Sequence, residues 1–134
     1  DAVDWYRRAI YIDPHYAKAY NSLAQPLVRL SRLDDAAAAA ELAVELSPDY
    51  EEARFNLGLV RSMQGRSAAA IDRWLWVLRR NPTRPHLVRV LMQEIRTLAR
   101  TDTAAARRAL DDVLHIAPGL AEARALREQL NGGR

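Results

Sequence analysis

The three histidines, His15, His86 and His115, and the acid pairs Asp34 with Asp35, Glu51 with Glu52 and Asp111 with Asp112 are the side chains that could carry acid–base or metal chemistry in this chain. Neither set is spaced for it. A general acid and base, a nucleophile with its base, or a metal cluster must converge on one point, whereas adjacent residues on a helix diverge by about 100°. No HExxH, GxSxG or phosphate-cradling glycine loop occurs, and the five glycines are scattered. The acid pairs read as helix caps and solvated charge. With no cysteine there is no disulfide, no thiol nucleophile and no cysteine metal cluster, and the redox compartment stays open. The sequence reads as a non-enzyme with no cofactor and no metal, so its chemistry must lie in binding.

The groups available for binding are mostly cationic. Residues 73–108 carry nine Arg against two acids. Residues 1–70 hold 8 basic and 10 acidic groups (net −2) and residues 71–134 hold 12 and 7 (net +5), so electrostatic recognition should favour the C-terminal half. A duplex DNA contact through six Arg would give a log–log salt slope of about −5. These Arg are not interleaved with exposed aromatics that could stack bases, which leaves nucleic acid as the weaker alternative to a protein partner. The 19 Arg against the single Lys18, with Ala the commonest residue, read first as the base composition of a GC-rich, bacterial genome. No apolar run approaches the roughly 18 residues of a membrane span, and the first residues do not read as a signal peptide. No membrane contact is expected, and cytoplasm and periplasm both stay open.

The elements that must position these groups repeat. Pro14, Pro48, Pro82 and Pro118 are spaced by 34, 34 and 36 residues, and each closes an apolar run: YIDP, ELSP, RRNP and HIAP. A period of this size marks a stacked array of supersecondary units, in which each helix buries its one apolar stripe against its sequential neighbours. Tyr20, Leu23, Leu27 and Leu30 stand at helical spacing and predict a first helix from about Ala17 to Leu30. Pro26 lies inside it and removes the bond from its own nitrogen to Ser22, which predicts a kink without a break. Asp34 opens the partner helix, where Asp34 and Asp35 suit its positive end and the run from Ala36 to Ala40 packs closely. Gly65 marks the turn inside the next unit. Trp74 belongs to the core, while Trp76 reads either as a partner contact or as a half-exposed ring. Pro85 is expected to open the next helix, with Leu87, Leu91, Ile95 and Leu98 as its apolar side. Thr101 or Asp102 caps its partner, and two extra residues are placed near that turn.

These residues resemble the tetratricopeptide repeat, whose pattern is W-x2-L-G-x2-Y, A-x3-F and P. With each repeat numbered from 1, Leu23, Ala24, Ala36, Ala40, Ala43 and Pro48 take positions 7, 8, 20, 24, 27 and 32, and Leu57, Gly58, Ala70, Trp74, Val77 and Pro82 take the same six. Arg54 and Arg61 replace the aromatics usual at positions 4 and 11. The third unit keeps Leu91, Ile95, Ala106, Leu110, Val113 and Pro118. The resemblance implies an all-α, right-handed superhelical solenoid of antiparallel helix pairs with about eight helices. Residues 1–16 would be the second helix of a truncated repeat, 17–50 and 51–84 full repeats, 85–120 a degenerate repeat with the two-residue insertion, and 121–134 a capping helix and tail. Because the sequence starts at Asp1 in mid-repeat, it is expected to be a fragment or processed product. The open face of the helix in residues 1–12, with Trp5, Tyr6 and Ile10, is expected to meet upstream residues or a second copy, giving a homo-oligomer.

The resemblance also implies a scaffold for protein–protein interaction, binding an extended peptide in a concave groove lined by the first helices. Transferred position by position, that groove includes Asn21, Gln25 and Arg29, then Phe55, Asn56, Leu59 and Met63, then Arg89, Gln93 and Arg96. Asn56 matches the asparagine with which some of these repeats hold a peptide backbone. The carboxylate clamp of chaperone-binding members needs Lys, Asn, Asn, Lys and Arg where this chain has Asn21, Gln25, Asn56, His86 and Val90. Only Asn56 agrees, which argues against a chaperone-tail function. The apolar set Phe55, Leu59 and Met63, with the row Arg89, Gln93 and Arg96, instead suits a hydrophobic anchor followed by an acidic or polar stretch. The other reading left open is an accessory or targeting domain of a larger bacterial enzyme.

Overall fold

The computed structural model describes residues 4, 8, 11, 13 and 15–132. Among them are seven α-helices and no strand: α1 (Ala17–Arg29), α2 (Leu33–Leu46), α3 (Glu51–Met63), α4 (Ser67–Arg80), α5 (Leu87–Ala99), α6 (Thr103–Ile116) and α7 (Ala121–Gly132). The open face expected on residues 1–12, with Trp5, Tyr6 and Ile10 and the contact to a second copy, lies outside the described residues.

The period is written into the backbone. The carbonyls of Ser47, Asn81 and Ala117 accept from the N–H three residues on, at Tyr50 (3.0 Å), Arg84 (3.2 Å) and Leu120 (3.1 Å), and Asp13 accepts from Tyr16 in the same way (3.1 Å). Pro48, Pro82 and Pro118 stand second in these turns, where a fixed φ near −65° fits without strain. Helices α1 and α3 also end alike. Arg32 N–H donates to Leu27 O (2.8 Å) and Ser31 N–H to Val28 O (2.9 Å); 34 residues later Arg66 N–H donates to Arg61 O (2.8 Å) and Gly65 N–H to Ser62 O (3.0 Å). This paired closure needs a left-handed residue, and it is Ser31 (φ 58°) in one turn and Gly65 (φ 78°) in the other.

The chain forms two compact units, residues 1–66 and 67–134. In the first, Leu23, Ala24 and Leu27 of α1 meet the small face Ala36, Ala37, Ala39 and Ala40 of α2 and Leu57 and Val60 of α3. Helix α1 continues through the buried Pro26 to Arg29 without a break. The two arginines that stand where the repeat pattern has aromatics have found polar partners. Arg54 Nε donates to Pro48 O at 3.1 Å. Arg61, its side chain 13% exposed, pairs with Glu41 of α2 and donates to Gln64 Oε1. A cation at such depth is tolerable only with its charge matched in this way.

In the second unit Trp74 is 1% exposed, in a core with Ile71, Leu75, Val77 and Leu78 of α4, Leu87, Leu91, Met92 and Ile95 of α5, and Leu110 and Val113 of α6. Pro85 does not open α5. The helix starts at Leu87, because His86 is left-handed (φ 65°) and interrupts the helical run. The buried positions of α5, namely Leu87, Leu91, Met92, Glu94 and Ile95, follow Ala19, Leu23, Ala24, Pro26 and Leu27 of α1 at a constant offset of 68, the sixth buried residue of α1, Asn21, having the exposed Arg89 as its counterpart, whereas Ala106, Leu110 and Val113 of α6 follow Ala36, Ala40 and Ala43 of α2 at 70. The two extra residues therefore fall between Ile95 and Ala106. There α5 runs on to Ala99, and Asp102, not Thr101, caps α6 by accepting from Ala105 N–H at 3.0 Å. Helix α7 buries only Ala123 and Leu126 and is tied to α6 by Arg127 and Asp111 at 3.3 Å.

Candidate functional site

Two adjoining clefts lie between α1 and α3 in the first unit. One is apolar, walled by Val28, Leu59, Val60 and Met63; the other is polar, walled by Asn21, Ser22 and Glu52. Gln25, Arg29 and Asn56 border both. This arrangement follows from helical spacing. Gln25 and Arg29 are four residues apart on α1, and Asn56, Leu59 and Met63 recur at three and four on α3, so each set shares one helix face.

At the seam, Asn56 Nδ2 donates to Asn21 Oδ1 at 3.0 Å, and Asn21 Nδ2 donates to the Tyr50 hydroxyl at 3.4 Å. Asn21 is 4% exposed, and a buried amide without partners would cost roughly 1–3 kcal/mol. Its two partners fix which way the amide points. One N–H and the carbonyl of Asn56 remain for a bound molecule. Gln25 and Arg29 are exposed, Met63 is 55% exposed, and among the described residues no acid pairs with Arg29.

The sequence assigns Phe55 to the apolar wall, and the structure does not. Phe55 is half-buried and lines neither cleft; the wall is completed by Val28 and Val60, which come from the helix faces turned toward each other. On α5 the row Arg89, Gln93 and Arg96 is exposed, and of its two cations only Arg96 is matched by an acid among the described residues. Arg89 Nη2 lies 2.9 Å from His86 Nδ1, and Arg96 Nη2 pairs with Glu122 of α7 at 2.7 Å. The row belongs to the second unit, whereas the other seven expected groove residues belong to the first. Sequence reasoning also missed Glu94. It is 8% exposed, and accepts from Ser67 Oγ at 2.5 Å at the start of α4, where a carboxylate suits the positive helix end. Trp76 is half-buried, with the Arg80 guanidinium 4.9 Å from its ring centroid, a cation–π contact at helical spacing.

Among the described residues no group of three His, Asp or Glu side chains is placed to hold a metal ion, and no helix is long and apolar enough to cross a membrane. No protein-family model and no curated protein sequence matches the chain. Solved structures do. Two crystal structures of MamA, a tetratricopeptide-repeat protein, align with TM-scores of 0.68 and 0.67 at 20% identity, each over 97% of this chain and over 81% and 75% of their own. At that identity the likeness shows the fold, and the chain has the all-helical, tetratricopeptide-like solenoid fold of those structures.

Proposed function

We propose that the protein is a non-catalytic interaction scaffold, and that the twin cleft between α1 and α3 holds an extended segment of a partner protein. The observation that carries this reading is the shared border. Gln25, Arg29 and Asn56 stand between an apolar cleft and a polar one, so a chain laid across them would place a hydrophobic side chain against Val28, Leu59, Val60 and Met63. It would meet amide donors and acceptors at the seam and leave an acidic neighbour beside Arg29. Peptide recognition commonly divides labour in this way, with side-chain pockets for specificity and polar groups for the backbone. The exposed Arg89 and Gln93 of α5 are proposed as a further contact for an acidic stretch.

Selection of peptides from a displayed library of random 12-residue sequences, using the intact chain as bait, tests the proposal. The selected peptides should share an apolar residue followed by an acid. Met63→Glu and Arg29→Glu, both at exposed positions that leave the core untouched, should each weaken binding of a selected synthetic peptide at least tenfold with unchanged helicity and melting. Selected peptides that bind both variants as tightly as the wild type would place the interaction elsewhere and overturn this assignment.

A further inference from the structure

The outer faces of the two equivalent helices α2 and α4 carry opposite chemistry at matching positions. On α2, Leu42 and Leu46 are 41% and 36% exposed and Glu45 is exposed between them. The residues 34 positions later on α4 are Trp76, Arg79 and Arg80, with Trp76 half-buried under Arg80 and Arg79 exposed. Helix α2 holds four acids and no base, whereas α4 holds three Arg and one acid. Neither Glu45 nor Arg79 takes part in an ion pair among the described residues. We propose that these faces are complementary halves of one contact between two copies of the chain: Leu42 and Leu46 of one copy cover the Trp76 ring of another, and Glu45 of the first meets Arg79 of the second.

The occupant is set by the match itself. A leucine pair on an acidic helix asks for an apolar group flanked by cations, and α4 presents a tryptophan flanked by arginines at the same spacing. Because the two halves differ, the contact is head-to-tail. Each copy that uses one face keeps the other open, so association continues with concentration or closes as a ring. Faces this short lie at the small end of protein interfaces, so association should be weak and sensitive to salt. This contact is separate from the α1–α3 clefts and does not depend on them.

The test is light scattering and sedimentation of the purified chain over a concentration series at low and high salt. The wild type should show mass rising with concentration, less so at high salt. Glu45→Arg and Arg79→Glu, each at an exposed site, should each weaken self-association tenfold or more. Mixing the two variants should restore it: the reversed charges of the two chains then face each other across one contact, while the unaltered Glu45 and Arg79 pair across the next. The double variant Glu45→Arg with Arg79→Glu should associate like the wild type. A chain that stays monomeric at the highest concentration, or reversals whose effects are not rescued by mixing, would overturn the proposal.

Discussion

Ser31 and Gly65 perform one task with different side chains. Both sit in the left-handed region, and both let the preceding helix close through the same pair of backbone bonds. For a residue with a Cβ this conformation costs roughly 1–2 kcal/mol, partly offset in glycine by its larger loss of backbone entropy, roughly 0.5–1 kcal/mol. Ser31→Gly should therefore stabilise the chain by about 0.5–1 kcal/mol, read as a rise of a few degrees in thermal melting, while Gly65→Ala should destabilise it by about 1 kcal/mol. The period of the sequence makes the equivalence of positions 31 and 65 visible, and Gly65 marks its turn for this reason. That a serine adopts the same backbone is not visible, because a serine in sequence is as readily a cap or an exposed helical residue. The bond between Asn21 and Asn56 is also hidden. The sequence marks both as groove residues, but only the approach of α1 to α3 brings two amides 35 positions apart to 3.0 Å.

The helices differ in how their first turns are satisfied. Tyr16, Arg32, Tyr50 and His86 precede α1, α2, α3 and α5 without a side-chain capping bond, whereas Asp102 caps α6. Helix α6 thus relies on its cap where those four rely on packing and turn bonds. Asp102→Ala should cost about 1 kcal/mol, in the range of roughly 0.5–2 kcal/mol for such caps, and the loss should appear in urea unfolding as a lower midpoint with unchanged slope. Helix α5 shows where local pattern misleads. Pro85 has the right type for a first helical position, but His86 turns the backbone left-handed, so the helix begins two residues later. The burial register of α5 still matches that of α1, since burial is decided by the neighbouring helices and not by where the helix starts.

For the molecule as a whole, uneven charge separates a protein partner from a nucleic acid. The surplus of base in residues 71–134 could hold a polyanion only if its Arg are available, and Arg96 and Arg127 are already paired with Glu122 and Asp111, as Arg61 is with Glu41 in the first unit. Binding of a selected peptide through Arg29 should weaken only modestly between low and physiological salt. A duplex held by six Arg would instead lose affinity with a log–log slope near −5. Measuring both slopes by titration distinguishes the cases, and a steep slope with DNA would reopen the nucleic-acid reading.

The sequence by itself determined that the chain repeats, that it is all-helical, that turns fall at Pro48, Gly65, Pro82 and Pro118, and that one large residue, Trp74, is buried. Each of these follows from local pattern: proline and glycine govern backbone angles at their own positions, and an apolar stripe at helical spacing must be covered by a neighbour. Tertiary structure alone decided that Arg61 stands in for an aromatic by pairing with Glu41, that Glu94 is buried at the start of α4, that Glu122 occupies Arg96, and that Val28 and Val60 rather than Phe55 complete the apolar cleft. In each case the deciding quantity is the distance and facing of side chains on different helices, 20 to 32 residues apart in the chain, which no spacing within a single helix encodes.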